Sequence, residues 1–153
     1  MDTQKKSQRY QRIYDQLVPL LMKTPDQTAR MATIAAVLYH KFDYYFWCGF
    51  YRLVNGQLTV GPYQGSLACQ VLEKNKGVCW AGINQVQTII VPDVHQFPGH
   101  IACDSRSNSE IVVPFVLPDG SIGGVFDVDS KDYHSFDEVD AEMLEKIMLL
   151  LNN

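Results

Sequence analysis

The sequence predicts an α+β domain: a central, mostly antiparallel sheet flanked by N- and C-terminal helices. Three observations carry that expectation. Apolar residues recur at three- and four-residue steps in the first third of the chain and again near its end, the period of amphipathic helices. Between Tyr44 and Val128, short β-favouring runs alternate with turn signals. Two of those signals, Asn55-Gly56 and Asp119-Gly120, belong to tight hairpins rather than to long parallel crossovers. Helices segregated from a hairpin-connected sheet define the class.

Taken in order, the first helix places Tyr10, Ile13, Tyr14, Leu17, Leu20 and Leu21 on one face, and Pro19 is expected to kink or divide it. Lys5, Lys6, Arg9 and Arg12 read as its solvated face. Thr24-Pro25-Asp26 offers a stop and then an N-cap for a second helix through Ala29, Ala32, Ile34, Ala35, Leu38 and Tyr39. Tyr44 to Val54 and Gln57 to Val60 form the first hairpin. Ser66 to Leu72 reads as a strand, Gly77 to Asn84 as a short helix despite Trp80 and Gly82, and Thr88 to Val91 as a short strand. A polar, loop-like stretch follows from His95 to Ser109. Ile111 to Leu117 and Ile122 to Val128 make the last hairpin, and Glu138 to Leu151 the last helix, with Val139, Met143, Ile147 and Leu150 along one side. No repeat or linker divides the chain, so residues 1–153 are expected to form one domain, with residues 1–25 as a helical extension packed on it.

The composition, 46% apolar and 20% charged, suits a globular fold and speaks against disorder. Seventeen acidic residues against thirteen basic ones leave a formal charge of −4, with no Lys/Arg stripe. Nucleic acid and anionic membrane are therefore poor partners. Met1 to Tyr14 lacks the apolar run of a signal peptide, and no apolar stretch approaches the ~20 residues that span a bilayer. The expected compartment is the cytoplasm. In that reducing setting Cys48, Cys69, Cys79 and Cys103 read as catalytic, redox-active or metal-binding thiols before they read as structural disulfides.

Cys48 lies in an apolar strand, Phe46 to Tyr51, and reads as a small core residue. The other three cysteines sit in polar, turn-rich sequence. Cys103 precedes the run Asp104 to Glu110, which suits a functional loop presenting backbone N–H groups as well as it suits a bland surface loop. Asp127 and Asp129, one residue apart on a strand, point to the same face roughly 6–7 Å apart. They form either a solvated sheet surface or a negative wall for an ammonium group or metal ion. The Asp119-Gly120 turn puts Glu110 across from the region of Asp127. Zinc is a poor fit, because the intervals between Cys69, Cys79 and Cys103 are 10 and 24 residues rather than a close pair. No metal or other cofactor is expected.

Several segments together resemble the free methionine-(R)-sulfoxide reductases, stand-alone GAF-domain enzymes. They are Trp47-Cys48-Gly49-Phe50-Tyr51, Gly61 to Gly65 with Ala68-Cys69, Gly77-Val78-Cys79, Pro92-Asp93-Val94, Gly99 to Asp104, Ser107 to Ile111, and Asp127-Val128-Asp129-Ser130. The likeness runs from about Asp26 to the end of the chain. It implies a GAF-like fold and reduction of the R epimer of free methionine sulfoxide. A cysteine sulfenic acid would form, condense to an intramolecular disulfide and be recycled by thioredoxin. Carried over by motif, Cys103 is the nucleophile, Cys69 the principal resolving thiol and Cys79 a secondary resolving or structural thiol. The same carry-over puts Glu110, Asp127 and Asp129 around the substrate, and Trp47 and Tyr51 beside its methyl group. A homodimer is implied as well.

The residue chemistry suits these roles. Asp127 and Asp129 can accept from an ammonium group. The Ser105–Ser109 loop, with Ser107, Asn108 and Ser109, offers donors for a carboxylate, and the Trp47 indole suits an S-methyl end. Carboxylates near Cys103 oppose its thiolate, a conflict eased if Glu110 is protonated and serves as the acid for the sulfoxide oxygen. Arg106 or His100 could offset the remaining charge. Cys48, where alanine is common in this family, and the Pro118-Asp119-Gly120 turn are the departures. The competing readings are a GAF module that binds a small molecule without turning it over, and a thiol-based redox sensor.

Overall fold

Alternation along the central strands divides the molecule into two faces, one for the core and one for the site. The computed structural model describes residues 1–100 and 103–153; Ile101 and Ala102, within the predicted His95–Ser109 loop, lie outside the described residues. The elements are α1 (Thr3–Leu21), α2 (Gln27–Lys41), β1 (Trp47–Val54), β2 (Gln57–Gln64), β3 (Val71–Leu72), α3 (Gly77–Gln85), β4 (Ile89–Val91), β5 (Ser109–Val116), β6 (Ile122–Ser130) and α4 (Glu138–Met148). All strand neighbours pair antiparallel, in the order β3-β2-β1-β6-β5-β4. Among the described residues no helix is long and apolar enough to cross a membrane.

Cys48 and Phe50 of β1, Ile111, Val113 and Phe115 of β5, and Phe126 and Val128 of β6 turn to one side, where they bury against α1, α2 and α4. Cys48 is fully buried, its thiol donating to the Ala35 carbonyl at 3.4 Å. Trp47, Tyr51, Val112 and Val125 turn to the other side, where α3 packs. Gly82 makes that packing possible: a Cβ there would stand 2.9 Å from Val112 Cγ1. The glycine that weakens α3 as an isolated helix is what lets it approach the sheet.

The local signals explain most boundaries. Asn55 and Gly56 both take positive φ, 52° and 78°, as a tight hairpin turn requires. Asp26 caps α2, accepting from the Ala29 amide at 2.9 Å. Asp137 and Asp140 form a capping box at the start of α4. Four expectations differ. Pro19 does not divide α1, which runs through it to Leu21; the proline sits in the last turn on the exposed side, where water can take the freed carbonyl. Ser66 to Leu72 is a strand only at Val71–Leu72, after an irregular loop. The buried stripe of α4 is Ala141, Leu144, Ile147 and Met148, with Val139 and Met143 only partly buried.

Lys6 is the fourth. It lies on the buried stripe of α1 with Tyr10, Ile13 and Leu17, not on a solvated face. Its ammonium donates to Asp140 Oδ2 at 2.7 Å and lies 3.2 Å from Asp137 Oδ2. The Tyr10 and Tyr44 hydroxyls donate to Asp140 Oδ1, each at 2.7 Å, and Tyr10 shares a further 2.7 Å bond with Tyr45. Burial pushes all three phenols well above their ordinary range. A charge buried with its partner is tolerated; one stripped of it is not. Asp140→Ala removes the buried partner of the Lys6 ammonium and the acceptor of the Tyr10 and Tyr44 hydroxyls, and is therefore expected to cost about 3–5 kcal/mol in urea unfolding; a loss below about 1 kcal/mol, as for a surface pair, would contradict this.

Candidate active site

A cavity of about 50 Å³ opens on the α3 side of the sheet, at the end of the strands that α3 leaves uncovered. Trp47 and Tyr51 form one wall; Glu110, Asp127 and Asp129 form its floor with Cys79 of α3 beside them. Its rim is built from Ser66 to Ala68, Lys76 to Val78, His100, Cys103, Asp104 and Ser107.

The aromatic wall depends on Gly49, which lies between Trp47 and Tyr51 on the same face of β1. A Cβ at Gly49 would collide with Tyr63 Cβ and come within 2.8 Å of Trp47 Cη2. Without it the indole lies flat across the strand, stacked on Tyr51 (centroids 5.9 Å apart) and Tyr63 (5.5 Å). Trp47 Nε1 donates to the Ser66 carbonyl at 3.0 Å, and the Tyr51 hydroxyl to the Cys69 carbonyl at 3.2 Å. Both rings are thus fixed at their polar ends to the loop that carries Cys69.

The acidic floor comes from β5 and β6. Glu110 pairs directly with Asp129, while Asp127 stands opposite Val112 and is Glu110's diagonal neighbour. Leu117 closes a three-residue loop by donating to the Ser121 carbonyl, and the register then shifts by one between Phe115 and Val116. Glu110 thus faces both aspartates on the cavity side of the sheet. Burial, then repulsion from Asp127 and Asp129, pushes the Glu110 carboxyl well above the carboxylate range; burial followed by Asp127 does the same to Asp129. Asp127 is raised by burial too, but hydrogen bonds from Glu110 and Cys79 pull it back. Protons therefore reside on Glu110 and Asp129 before Asp127. Asp127 Oδ1 is buried without a hydrogen-bond partner among the described residues. Cys79 Sγ and one oxygen each of Glu110 and Asp127 lie within 4.8 Å of one another, a set of donors that an ammonium group fits as readily as a metal ion.

Cys69 and Cys103 form a disulfide at the rim, with Cα atoms 5.7 Å apart. Cys48 and Cys79 are free and buried. Burial, then Asp127 and Glu110, pushes the Cys79 thiol well up, so it sits protonated against the acids.

Trp47, Tyr51, Cys79, Cys103, Ser107, Glu110, Asp127 and Asp129 thus converge on one cavity, with Cys69 joined to its rim. Asn108 and Ser109 do not. Asn108 donates to the Lys131 carbonyl at 2.6 Å and bonds His95 at 2.9 Å; its amide and carbonyl are taken by Ser130 and Val94. Ser109, one position from Glu110, turns to the opposite face and donates to the Asp132 carbonyl at 2.5 Å. Arg106 and His100 supply no loose positive charge either. Arg106 is committed to Asp104, and burial, then His95, lowers the pKa of His100.

In their place stands the start of α3, which the sequence reading did not single out. Its N-cap position, Lys76, makes no side-chain cap, and Gly77, Val78 and Cys79 line the cavity. Uncapped amides and the positive end of the helix dipole suit an anion there. A missing cap residue before a glycine-led helix was the available signal.

No protein-family model matches the chain. GAF domain-containing protein A of Dictyostelium discoideum is 44% identical over 149 residues, 97% of this chain and 93% of that protein. Free methionine-R-sulfoxide reductase of Escherichia coli K12 is 40% identical over 123 residues, 80% of this chain and 74% of that protein. The crystal structure of free methionine-R-sulfoxide reductase from Neisseria meningitidis in complex with its substrate superposes with a TM-score of 0.91 at 38% identity, over 96% of this chain and 88% of that one.

The raised carboxyls give stability a pH dependence of known sign. Below the usual Glu value of 4.5 folded and unfolded chains are both protonated there, so the contribution is fully present. As pH climbs through the raised folded value, the unfolded chain ionises first and stability falls, by up to about 1.4 kcal/mol per pH unit for each retained proton. Glu110→Gln removes one such group, so its urea stability should gain on the unsubstituted protein between about pH 5 and pH 8. Parallel curves would show that Glu110 holds no proton.

Proposed function

The chain belongs to the free methionine-R-sulfoxide reductase family, and from that premise we propose that it reduces free L-methionine-(R)-sulfoxide to L-methionine with Cys103 as the nucleophile. One observation carries the reading: Cys103, bonded to Cys69, stands at the mouth of a cavity walled by aromatic rings and floored by acids. An S-methyl group against Trp47 and Tyr51 and an ammonium group at Asp127 match those surfaces. The orphan Oδ1 of Asp127 is the acceptor such an ammonium group would satisfy. The substrate carboxylate is assigned to the uncapped start of α3 rather than to Asn108 and Ser109, whose side chains are occupied elsewhere.

In the reaction the Cys103 sulfur attacks the sulfoxide sulfur while Glu110 gives its proton to the sulfoxide oxygen. The oxygen passes to Cys103 as a sulfenic acid, methionine leaves, and two electrons have moved from the cysteine to the substrate. The Cys69 thiol then attacks Cys103, forming the disulfide and releasing water. A dithiol of the thioredoxin type returns the two electrons by exchange through a mixed disulfide. Protonation of Glu110 and Asp129 keeps the floor from repelling a thiolate at Cys103. Cys79, buried beside Asp127, serves the floor as a hydrogen-bond donor, with Cys69 as the resolving thiol.

Thioredoxin-coupled NADPH consumption should follow addition of free L-methionine-(R)-sulfoxide and not of the S epimer. Cys103→Ser is expected to form no methionine, whereas Cys69→Ser should yield about one equivalent and fail to cycle. Turnover of neither epimer, with peroxide still closing the disulfide, would support a redox sensor instead.

A further inference from the structure

The Cys69–Cys103 disulfide runs alongside a second, non-covalent link between the same two loops. Ser66 precedes Cys69 by three residues and Asp104 follows Cys103. The Ser66 hydroxyl donates to Asp104 Oδ2 at 2.8 Å across 38 residues of sequence. Arg106 grips the same carboxylate, with Nη2 at 2.7 Å from Oδ2 and Nε and the backbone amide each 3.0 Å from Oδ1. The Arg106 guanidinium in turn lies 4.7 Å from the centroid of the Phe46 ring, next to Trp47. On the other loop, the Ser66 carbonyl holds the Trp47 indole. The Arg106 bonds keep the Asp104 carboxyl far below its usual range, so it stays an acceptor at any physiological pH.

None of these bonds is made through a cysteine sulfur. When the disulfide is reduced, the two thiols are joined only through 34 residues of chain, and bringing them together again costs loop entropy unless something holds the loops. Resting on the functional reading above, we propose that the Ser66–Asp104–Arg106 bonds form a latch that keeps the Cys69 loop against the Cys103 loop in the reduced enzyme, so that the sulfenic acid closes to the disulfide before it meets a second oxidant. In the step concerned, the Cys69 thiol sulfur bonds to the Cys103 sulfur, the S–O bond of the sulfenic acid breaks, and the thiol proton leaves with the hydroxyl as water. Ser66, Asp104 and Arg106 are positioning residues: they act through the distance between two sulfurs. The latch also explains a carboxylate next to a nucleophilic thiol, since Arg106 neutralises its charge.

The test is a single turnover of the full-length, pre-reduced protein with free L-methionine-(R)-sulfoxide and no reductant. Methionine, the disulfide and the dimedone adduct of the sulfenic acid are followed together. Loss of a hydrogen bond to a charged group makes disulfide closure in Ser66→Ala about tenfold slower, with more dimedone adduct and the same methionine yield per enzyme. Ser66→Thr, which returns the hydroxyl, closes at close to the original rate. Arg106→Gln, at a largely exposed position, slows closure as well and carries the test should Ser66→Ala fail to fold. Closure at the unsubstituted rate in Ser66→Ala or Arg106→Gln, or closure as slow in Ser66→Thr as in Ser66→Ala, overturns the latch. If the unsubstituted protein forms no methionine, the functional reading fails. The same closure rates measured after oxidation of Cys103 by peroxide then still decide the latch.

Discussion

Three carboxyl groups, Glu110, Asp127 and Asp129, share one small buried wall on two neighbouring strands, and the rest of the structure is arranged around that crowding. Like charges this close in a poorly solvated site cannot all ionise together, so burial and mutual repulsion hold Glu110 and Asp129 well above the ordinary carboxylate range. The arrangement is unfavourable for folding, and other parts of the chain must offset it. The offset lies on the far face of the sheet, where α1, α2 and α4 bury a continuous core of Phe42, Phe50, Phe126, Leu38, Leu144 and Ile147. Each central strand serves both ends of that exchange, with alternate residues turned to core and site.

The same crowding answers the electrostatic problem of a thiolate among acids. Asp104, the carboxylate nearest Cys103 in sequence, is neutralised by Arg106, and Glu110 and Asp129 hold their protons. The proposed reaction draws on this arrangement for an acid at the sulfoxide oxygen and an acceptor for the ammonium group, without a large negative field at Cys103. It does so with two carboxyl groups tuned apart by their neighbours, Glu110 and Asp127.

What could be read from the sequence was whatever depends on near neighbours. The alternation Trp47-Gly49-Tyr51 and the pair Asp127-Asp129 define one face by period alone. Asp26 marks the start of α2, and Asn55-Gly56 fits its turn. What was hidden depends on distant partners. Lys6 looked solvated because Asp140, its counter-charge, lies 134 residues away. Asn108 and Ser109 looked like ligand donors because small polar residues suit both a binding loop and a structural bridge, and only the fold shows Lys131 and Asp132 taking their bonds. The Ser66–Asp104 link was invisible for the same reason.

The central claim is that the acidic floor carries protons at neutral pH while Asp127 is the first of the three to ionise. Infrared difference spectroscopy of the reduced protein, titrated from acid to alkaline pH, reads this directly. A protonated-carboxyl C=O band should persist at neutral pH, lose intensity in Glu110→Gln and in Asp129→Asn, and bleach last as pH rises. A spectrum in which every carboxyl is ionised at neutral pH would contradict the account.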